Sequence, residues 1–213
     1  MQDIHEGDLK RVVRAAYLLQ LRRGPFTEQE LAELVGRAES QHALDLGYIA
    51  EQRIESERRY FLQDKGRSRI KVVLAGGVYD VLHLGHLAAL TEARSLGDVL
   101  VVVVATDATV QLLKGRNPIF PEGDRRALVE SLKPVDRAIL GYEDVGFGFE
   151  QILGDVVPDI VAFGFDQENL EKTVGEIIAR RKLRIQLVRL SKFEQGEYVS
   201  SSSVRRRLSE EMR

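Results

Sequence analysis

The chain predicts an α/β protein: a five-stranded parallel sheet preceded by a small winged helix-turn-helix domain. Two observations carry this. From Ile70 onward, apolar runs alternate with amphipathic helical stretches, the pattern of a parallel sheet wrapped by crossover helices. Ahead of that point the spacing instead reads as short helices followed by an alternating segment.

In order, Leu9, Val12, Val13, Ala16, Leu19 and Leu21 recur at helical spacing until Arg22-Arg23-Gly24-Pro25 stops them. Thr27 and Glu30 stand at capping-box spacing, and a second helix runs through Leu31, Leu34 and Val35 to Gly36. Ser40 is the expected cap of a third helix through Ala43, Leu44, Leu46 and Ile49, and residues 53–62 alternate as a hairpin. Three helices and a hairpin describe a winged helix over residues 1–68, which leaves 69–213 for the sheet domain. Strands are expected over 70–75, 99–105, 137–140, 160–163 and 185–190. Helices are expected over 87–96, 121–132, 149–153, 168–181 and 203–212.

The chain has 213 residues, 44% of them hydrophobic, enough to bury a proper core. A net charge of −2 gives no global basic field, so any nucleic-acid binding must come from a local patch. The absence of cysteine excludes disulfides, zinc thiolates and a thiol nucleophile. No apolar stretch approaches the span of a bilayer, and an N-terminus carrying Asp3, Glu6 and Asp8 does not read as a signal peptide, so a cytoplasmic protein with no membrane partner is expected.

The chemistry concentrates in residues 77–86, Gly-Val-Tyr-Asp-Val-Leu-His-Leu-Gly-His, where a strand gives way to a helix. A helix N-terminus offers unpaired N–H groups and partial positive charge, Gly85 lets a ligand approach the backbone, and His83 and His86 add side-chain donors. As metal ligands the two histidines lack a third partner, since the nearest carboxylate, Asp80, precedes the turn; no protein-held metal is expected. Neither a GxxxxGK[ST] loop nor a full GxGxxG fingerprint occurs. Near the C-terminus, the hydroxyls of Ser200, Ser201 and Ser202 can cap a helix or bind phosphate, and Arg205, one turn in, can fork onto phosphate oxygens. Asp166 follows a strand end, where ligands collect in open parallel sheets. Asp80 is expected to brace the histidine turn from behind, and Thr106 and Asp107 read as turn residues.

The strand, the HxGH turn and the helix resemble the HxGH nucleotidyltransferase superfamily, which implies a Rossmann-like sheet and a nucleoside triphosphate lying across Gly77, Val78, Tyr79 and Gly85 with His83 and His86 on its phosphates. By the same resemblance Lys114 faces the phosphates and Arg125 belongs to the nucleotide site. Residues 199–205 look like the family's I-S-S/T-T-x-I-R element, placing Ser200, Ser201, Ser202 and Arg205 at the triphosphate. Asp166 matches a Gly-x-Asp element that approaches the sugar or base. The runs 114–119 and 132–141 look like the archaeal FAD synthetase group. That resemblance implies transfer of AMP from ATP to FMN, with Mg2+ on the triphosphate and a homodimer as the assembly. The alternatives are a cytidylyltransferase using CTP and glycerol-3-phosphate, and a DNA-binding regulator responsive to a flavin or a nucleotide. For the N-terminal domain, DNA binding would place the third helix in the major groove. That stretch is rich in Glu39, Gln41, His42, Asp45 and Glu51, so phosphate contacts would fall to Arg22, Arg23, Arg37, Arg58, Arg59, Lys65 and Arg67; a dimerisation or packing module is the competing reading.

Overall fold

The computed structural model describes residues 6–144 and 148–193, together with Val204, Arg207 and Glu210. The chain divides into two compact units, Met1–Lys71 and Val72–Arg213.

In the first unit, α1 (Glu6–Arg23) carries Glu6 and Asp8 in its first turn and Arg22 and Arg23 in its last, matching the helix dipole at both ends. Gly24, at φ +78°, ends it. The capping box ahead of α2 (Glu28–Val35) forms as expected: the Glu30 N–H donates to Thr27 Oγ1 at 3.2 Å and the Thr27 N–H to Glu30 Oε2 at 2.8 Å. That backbone N–H is the main reason the Glu30 carboxyl titrates below its ordinary range. α3 (Arg37–Asp45) departs from expectation. It starts after Gly36, whose φ of +102° breaks the preceding helix, and Ser40 lies buried inside it with Oγ donating back to the Gly36 carbonyl at 2.7 Å. Ile49 belongs not to that helix but to β1 (Ile49–Ile54), which pairs antiparallel with β2 (Glu57–Leu62). Glu55 and Ser56 both hold positive φ, as a two-residue hairpin turn of the primed type requires. A short α4 (Asp64–Arg67) follows. Val12, Val13, Ala16, Leu31, Ala43 and Tyr60 are among the residues that fill this unit's core.

The second unit alternates β3 (Val72–Gly77), α5 (Leu84–Ser95), β4 (Val99–Val104), α6 (Asp107–Lys114), α7 (Glu122–Glu130), β5 (Arg137–Leu140), α8 (Gly148–Val156), β6 (Ile160–Phe163), α9 (Glu168–Arg181) and β7 (Gln186–Arg189). The strands form a five-stranded parallel sheet in the order β5-β4-β3-β6-β7. β4 and β6 are almost wholly buried, which is why both read as unbroken apolar runs. Connections run one way from β3 through β4 to β5, then cross back to β6. The order therefore reverses between β3 and β6, and beyond the carboxyl ends of those two strands lies the crevice where such sheets bind ligands.

Three differences from the sequence reading matter for the site. β3 extends to Gly77, past the expected end at 75. α5 starts at Leu84 rather than 87, so His86 sits inside its first turn. Residues 107–114, expected as a short apolar stretch and loop, form α6, capped by Thr106 Oγ1 and closed by Gly115 at φ +64°. Of the expected last helix, Val204, Arg207 and Glu210 are helical.

Candidate active site

β3 delivers the chain to the carboxyl end of the sheet, and the turn that follows is held by buried polar groups. The Val78 carbonyl accepts a hydrogen bond from Arg125 Nη1 at 2.6 Å. Tyr79 takes φ +53°, a left-handed conformation unusual for an aromatic residue, and so folds its ring back over Gly77. A Cβ at Gly77 would stand 2.9 Å from Tyr79 Cε2 and Cζ, hence glycine. Burial pushes the Tyr79 hydroxyl up, well out of the physiological range. The Asp80 carboxylate, 3% exposed, accepts from the N–H groups of Ile119 and Phe120 at 2.5 and 3.3 Å and from Arg116 Nη1 at 3.3 Å. It braces the turn as expected, and the structure adds what it braces against: the segment following α6.

His83 is the N-cap of α5. Its Nδ1 accepts from the His86 N–H at 3.3 Å, so in the neutral ring the proton sits on Nε2, leaving that nitrogen a donor. The N–H groups of Leu84 and Gly85 precede the first turn-closing bond of α5, from the His86 N–H to the His83 carbonyl at 3.0 Å. The two imidazoles stack, centroids 3.7 Å apart, and the Tyr79 ring lies 5.0 Å from that of His86. Buried His86 Nδ1 has no hydrogen-bond partner among the described residues. Burial, helped by the charges of His83 and Lys114, lowers the His86 pKa to about 4; burial also lowers that of His83. Both rings are therefore neutral at neutral pH, and a protonated one would be stabilised by an arriving anion. Lys114 ends α6 rather than standing in a loop, near enough for its ammonium to act on His86. A cavity of about 490 Å³ opens beside the rings, lined by Leu82, His83, Leu84, His86, Leu87, Leu132 and Val204.

Arg125 lies elsewhere than on a ligand surface. Its side chain is 0% exposed; Nε donates to the Phe120 carbonyl at 2.9 Å, Nη1 to Val78, and Nη2 to Asp107 Oδ1 at 2.6 Å. With all three nitrogens engaged it ties α7 to the histidine turn and to the start of α6. The Tyr79 ring, also buried, packs between Gly77 and the His86 ring. Asp166 is exposed after β6, in a turn where the Gln167 N–H donates to the Gly164 carbonyl at 3.0 Å. Gln167, which the sequence offered only as part of the run 164–167, joins the switch point: its Oε1 accepts from the Gly164 N–H at 2.7 Å and its Nε2 donates to the Gly76 carbonyl at 3.1 Å. Ser200, Ser201, Ser202 and Arg205 lie outside the described residues. Asp107, Arg116 and Gln167 were missed as structural partners, and only Asp107, one residue past a capping threonine, had a local signal. Among the described residues no group of three or more His, Cys, Asp or Glu is arranged to hold a metal ion.

This arrangement presents helix N–H groups, two neutral imidazoles and an ammonium on one side of a crevice, and it can bind and stabilise a polyphosphate. Residues 74–207 match the cytidylyltransferase-like family model. An FAD synthase of Thermoplasma volcanium is 46% identical over 138 residues, covering 65% of this chain and 94% of the relative. One of Aciduliprofundum boonei is 50% identical over 121 residues, covering 57% of this chain and 78% of the relative. The solved structure of a Thermoplasma volcanium protein described as a lipopolysaccharide core biosynthesis protein superposes with a TM-score of 0.52 at 41% identity, covering 59% of this chain and 99% of that one. Pantothenate synthetase from Thermus thermophilus, 18% identical, shares the fold at a TM-score of 0.50, covering 67% of this chain and 63% of that one.

Proposed function

The chain belongs to the cytidylyltransferase-like family, and from that premise we propose that it transfers AMP from ATP to FMN, forming FAD and releasing pyrophosphate. The observation that carries the reaction class is the stacked pair of neutral imidazoles at the N-terminus of α5. The choice of ATP and FMN rests on relatives named FAD synthase, 46% and 50% identical.

A phosphate oxygen of FMN attacks the α-phosphorus of ATP, the bond to the α,β-bridging oxygen breaks, and its electron pair departs on pyrophosphate. No covalent intermediate with the protein is needed, so positioning and charge stabilisation do the catalysis. His83 donates from Nε2, and His86 donates an N–H to the oxygens on which the anionic charge grows. Lys114 neutralises phosphate oxygens and Gly85 lets them approach the backbone, while Gly77 makes room for the Tyr79 ring. Ser200, Ser201, Ser202 and Arg205 act on the triphosphate from the C-terminal segment, and Asp166 meets the ribose at the switch point. Val78, Tyr79 and Arg125 hold the turn rather than the nucleotide. Mg2+ would come with the triphosphate, held by its oxygens and by water, and would offset their charge; no step is assigned to it.

The reaction runs in the cytoplasm, with two copies of the chain as the working assembly, countable by sedimentation. Residues 1–68 act as a winged-helix module; binding of duplex DNA in a salt-dependent shift assay would extend that to a regulatory role, and its absence would leave packing or dimerisation. The deciding experiment is pyrophosphate release in Mg2+, pairing ATP or CTP with FMN or glycerol-3-phosphate. Release with ATP and FMN alone is expected; release with CTP and glycerol-3-phosphate alone would overturn the acceptor and the base together.

A further inference from the structure

Ile119 and Phe120 are 55% and 41% exposed, yet the segment that carries them is tightly held. Both backbone N–H groups are bound by the buried Asp80 carboxylate, and the Phe120 carbonyl accepts from buried Arg125. Pro118 and Pro121 restrict the backbone on either side. Asp80 lies three residues before His83, and Arg125 also binds the Val78 carbonyl, so the same two side chains that set the histidine turn set this pair. Burying two large apolar side chains is favourable, and leaving them exposed on a rigid segment next to a reaction centre is what a binding surface for an apolar ring requires.

Topology says whose ring it is. The nucleotide crevice lies at the reversal between β3 and β6, closed by the turn of Gly164 to Gln167 and carrying exposed Phe165 and Asp166. Residues 115–121 join α6 to α7, both of which follow β4, so they leave the sheet on the opposite side of β3. With the phosphates over α5 and Asp166 on the nucleoside, as proposed above, the flank beside β4 is left for the acceptor.

We propose that Ile119 and Phe120 seat the planar ring system of the phosphate acceptor, the isoalloxazine of FMN, and thereby set acceptor specificity. This rests on the acceptor assigned above. The test titrates the full-length protein with FMN in the absence of ATP, following flavin fluorescence, and measures KM for FMN and for ATP separately. Phe120→Ala weakens FMN binding about tenfold, the scale of one lost stacking contact, and Ile119→Ser weakens it in the same direction through lost apolar contact; both raise KM for FMN in parallel and leave KM for ATP within about twofold, and Phe120→Tyr restores FMN affinity. Unchanged FMN affinity in both Phe120→Ala and Ile119→Ser overturns the proposal, as does an equal or larger rise in KM for ATP, which would assign the pair to the adenine. A change in subunit number with FMN affinity intact overturns it in favour of a contact between copies. If the unmodified protein uses glycerol-3-phosphate and not FMN, the acceptor assignment itself has failed; if it uses FMN and the variants bind it normally, only the seat has.

Discussion

Residues 78–80 and 83–86 belong to one turn and differ in one respect: whether their polar groups are committed. In the first stretch the Val78 carbonyl and the Asp80 carboxylate are buried in hydrogen bonds to Arg125, Ile119, Phe120 and Arg116. In the second, His86 Nδ1 is buried without a partner among the described residues, and both imidazoles are kept neutral largely by burial. Of the two stretches only the second leaves a buried side-chain nitrogen without a hydrogen bond among the described residues, and this one sits at a helix N-terminus beside a second imidazole, where an anionic ligand can supply what the fold does not. The first stretch is there to hold the second in place. Substitutions in the committed half should therefore cost stability, and those in the uncommitted half should cost turnover.

The largest effect is expected at His86. His86→Ala should lower turnover in pyrophosphate release by roughly 10²- to 10³-fold, the scale for losing one preorganised donor to a developing oxyanion, while the urea unfolding midpoint stays put or rises. A matching loss of stability would place His86 among the structural residues. The pH dependence separates the same alternatives. Because burial lowers the His86 pKa to about 4, the folded protein binds fewer protons than the unfolded chain, whose histidines titrate near 6.5. The free protein should thus have its full stability above about pH 6.5 and lose it as pH falls toward 4, and His86→Ala should flatten that fall. ATP should take up protons on binding, measurable by calorimetry in buffers of different ionisation enthalpy, and the variant should take up fewer.

Arg125→Met tests the committed half. It strands the Val78 and Phe120 carbonyls and removes the partner of Asp107, which is itself partly solvated, so a loss of about 3 kcal/mol in chemical denaturation is expected. Were the unfolding midpoint unchanged while ATP affinity collapsed, the guanidinium would be a nucleotide contact, as the sequence resemblance had it.

The buried place of Arg125 shows what the sequence could and could not convey. The parallel sheet was legible because strands buried on both faces read as apolar runs, and the histidine turn because a strand, a glycine and two spaced histidines keep their order in the chain. Arg125 was not, since an arginine at helical spacing reads the same whether it meets solvent, phosphate or two buried carbonyls. α6 was overlooked because Val110 is its one buried residue whereas Leu112 and Leu113 face solvent, so no apolar stripe forms. Its signals were the cap at Thr106 and the glycine at 115. Ser40 failed as a cap for the opposite reason: Gly36 breaks the chain by its backbone conformation, needs no side-chain cap, and lets α3 start ahead of the serine.

Gly77→Ala probes the joint between the halves. The new Cβ meets the Tyr79 ring at 2.9 Å, and that ring is buried, so overpacking should cost about 2 kcal/mol. Because the displaced ring also lies against His86, turnover should fall as well, making this the variant that moves both readouts.

The smallest effect tests the rule in the other unit. Thr27 and Glu30 form a committed pair like that of Asp80 and its donors, with three hydrogen bonds between them at 2.8, 2.9 and 3.2 Å. Thr27→Ala removes the cap of α2 and should cost about 1 kcal/mol. Turnover with ATP and FMN should not change. The Glu30 carboxyl is held low first by the Thr27 backbone N–H, which alanine keeps, and then by the hydroxyl, which alanine lacks; it should rise only part of the way toward its ordinary value, so the stability difference between the variant and the parent should shrink only slightly as pH falls through the Glu30 range. A change in KM for ATP or FMN in this variant would mean that commitment of polar groups does not separate structure from function in this chain, and that the N-terminal unit takes part in the reaction.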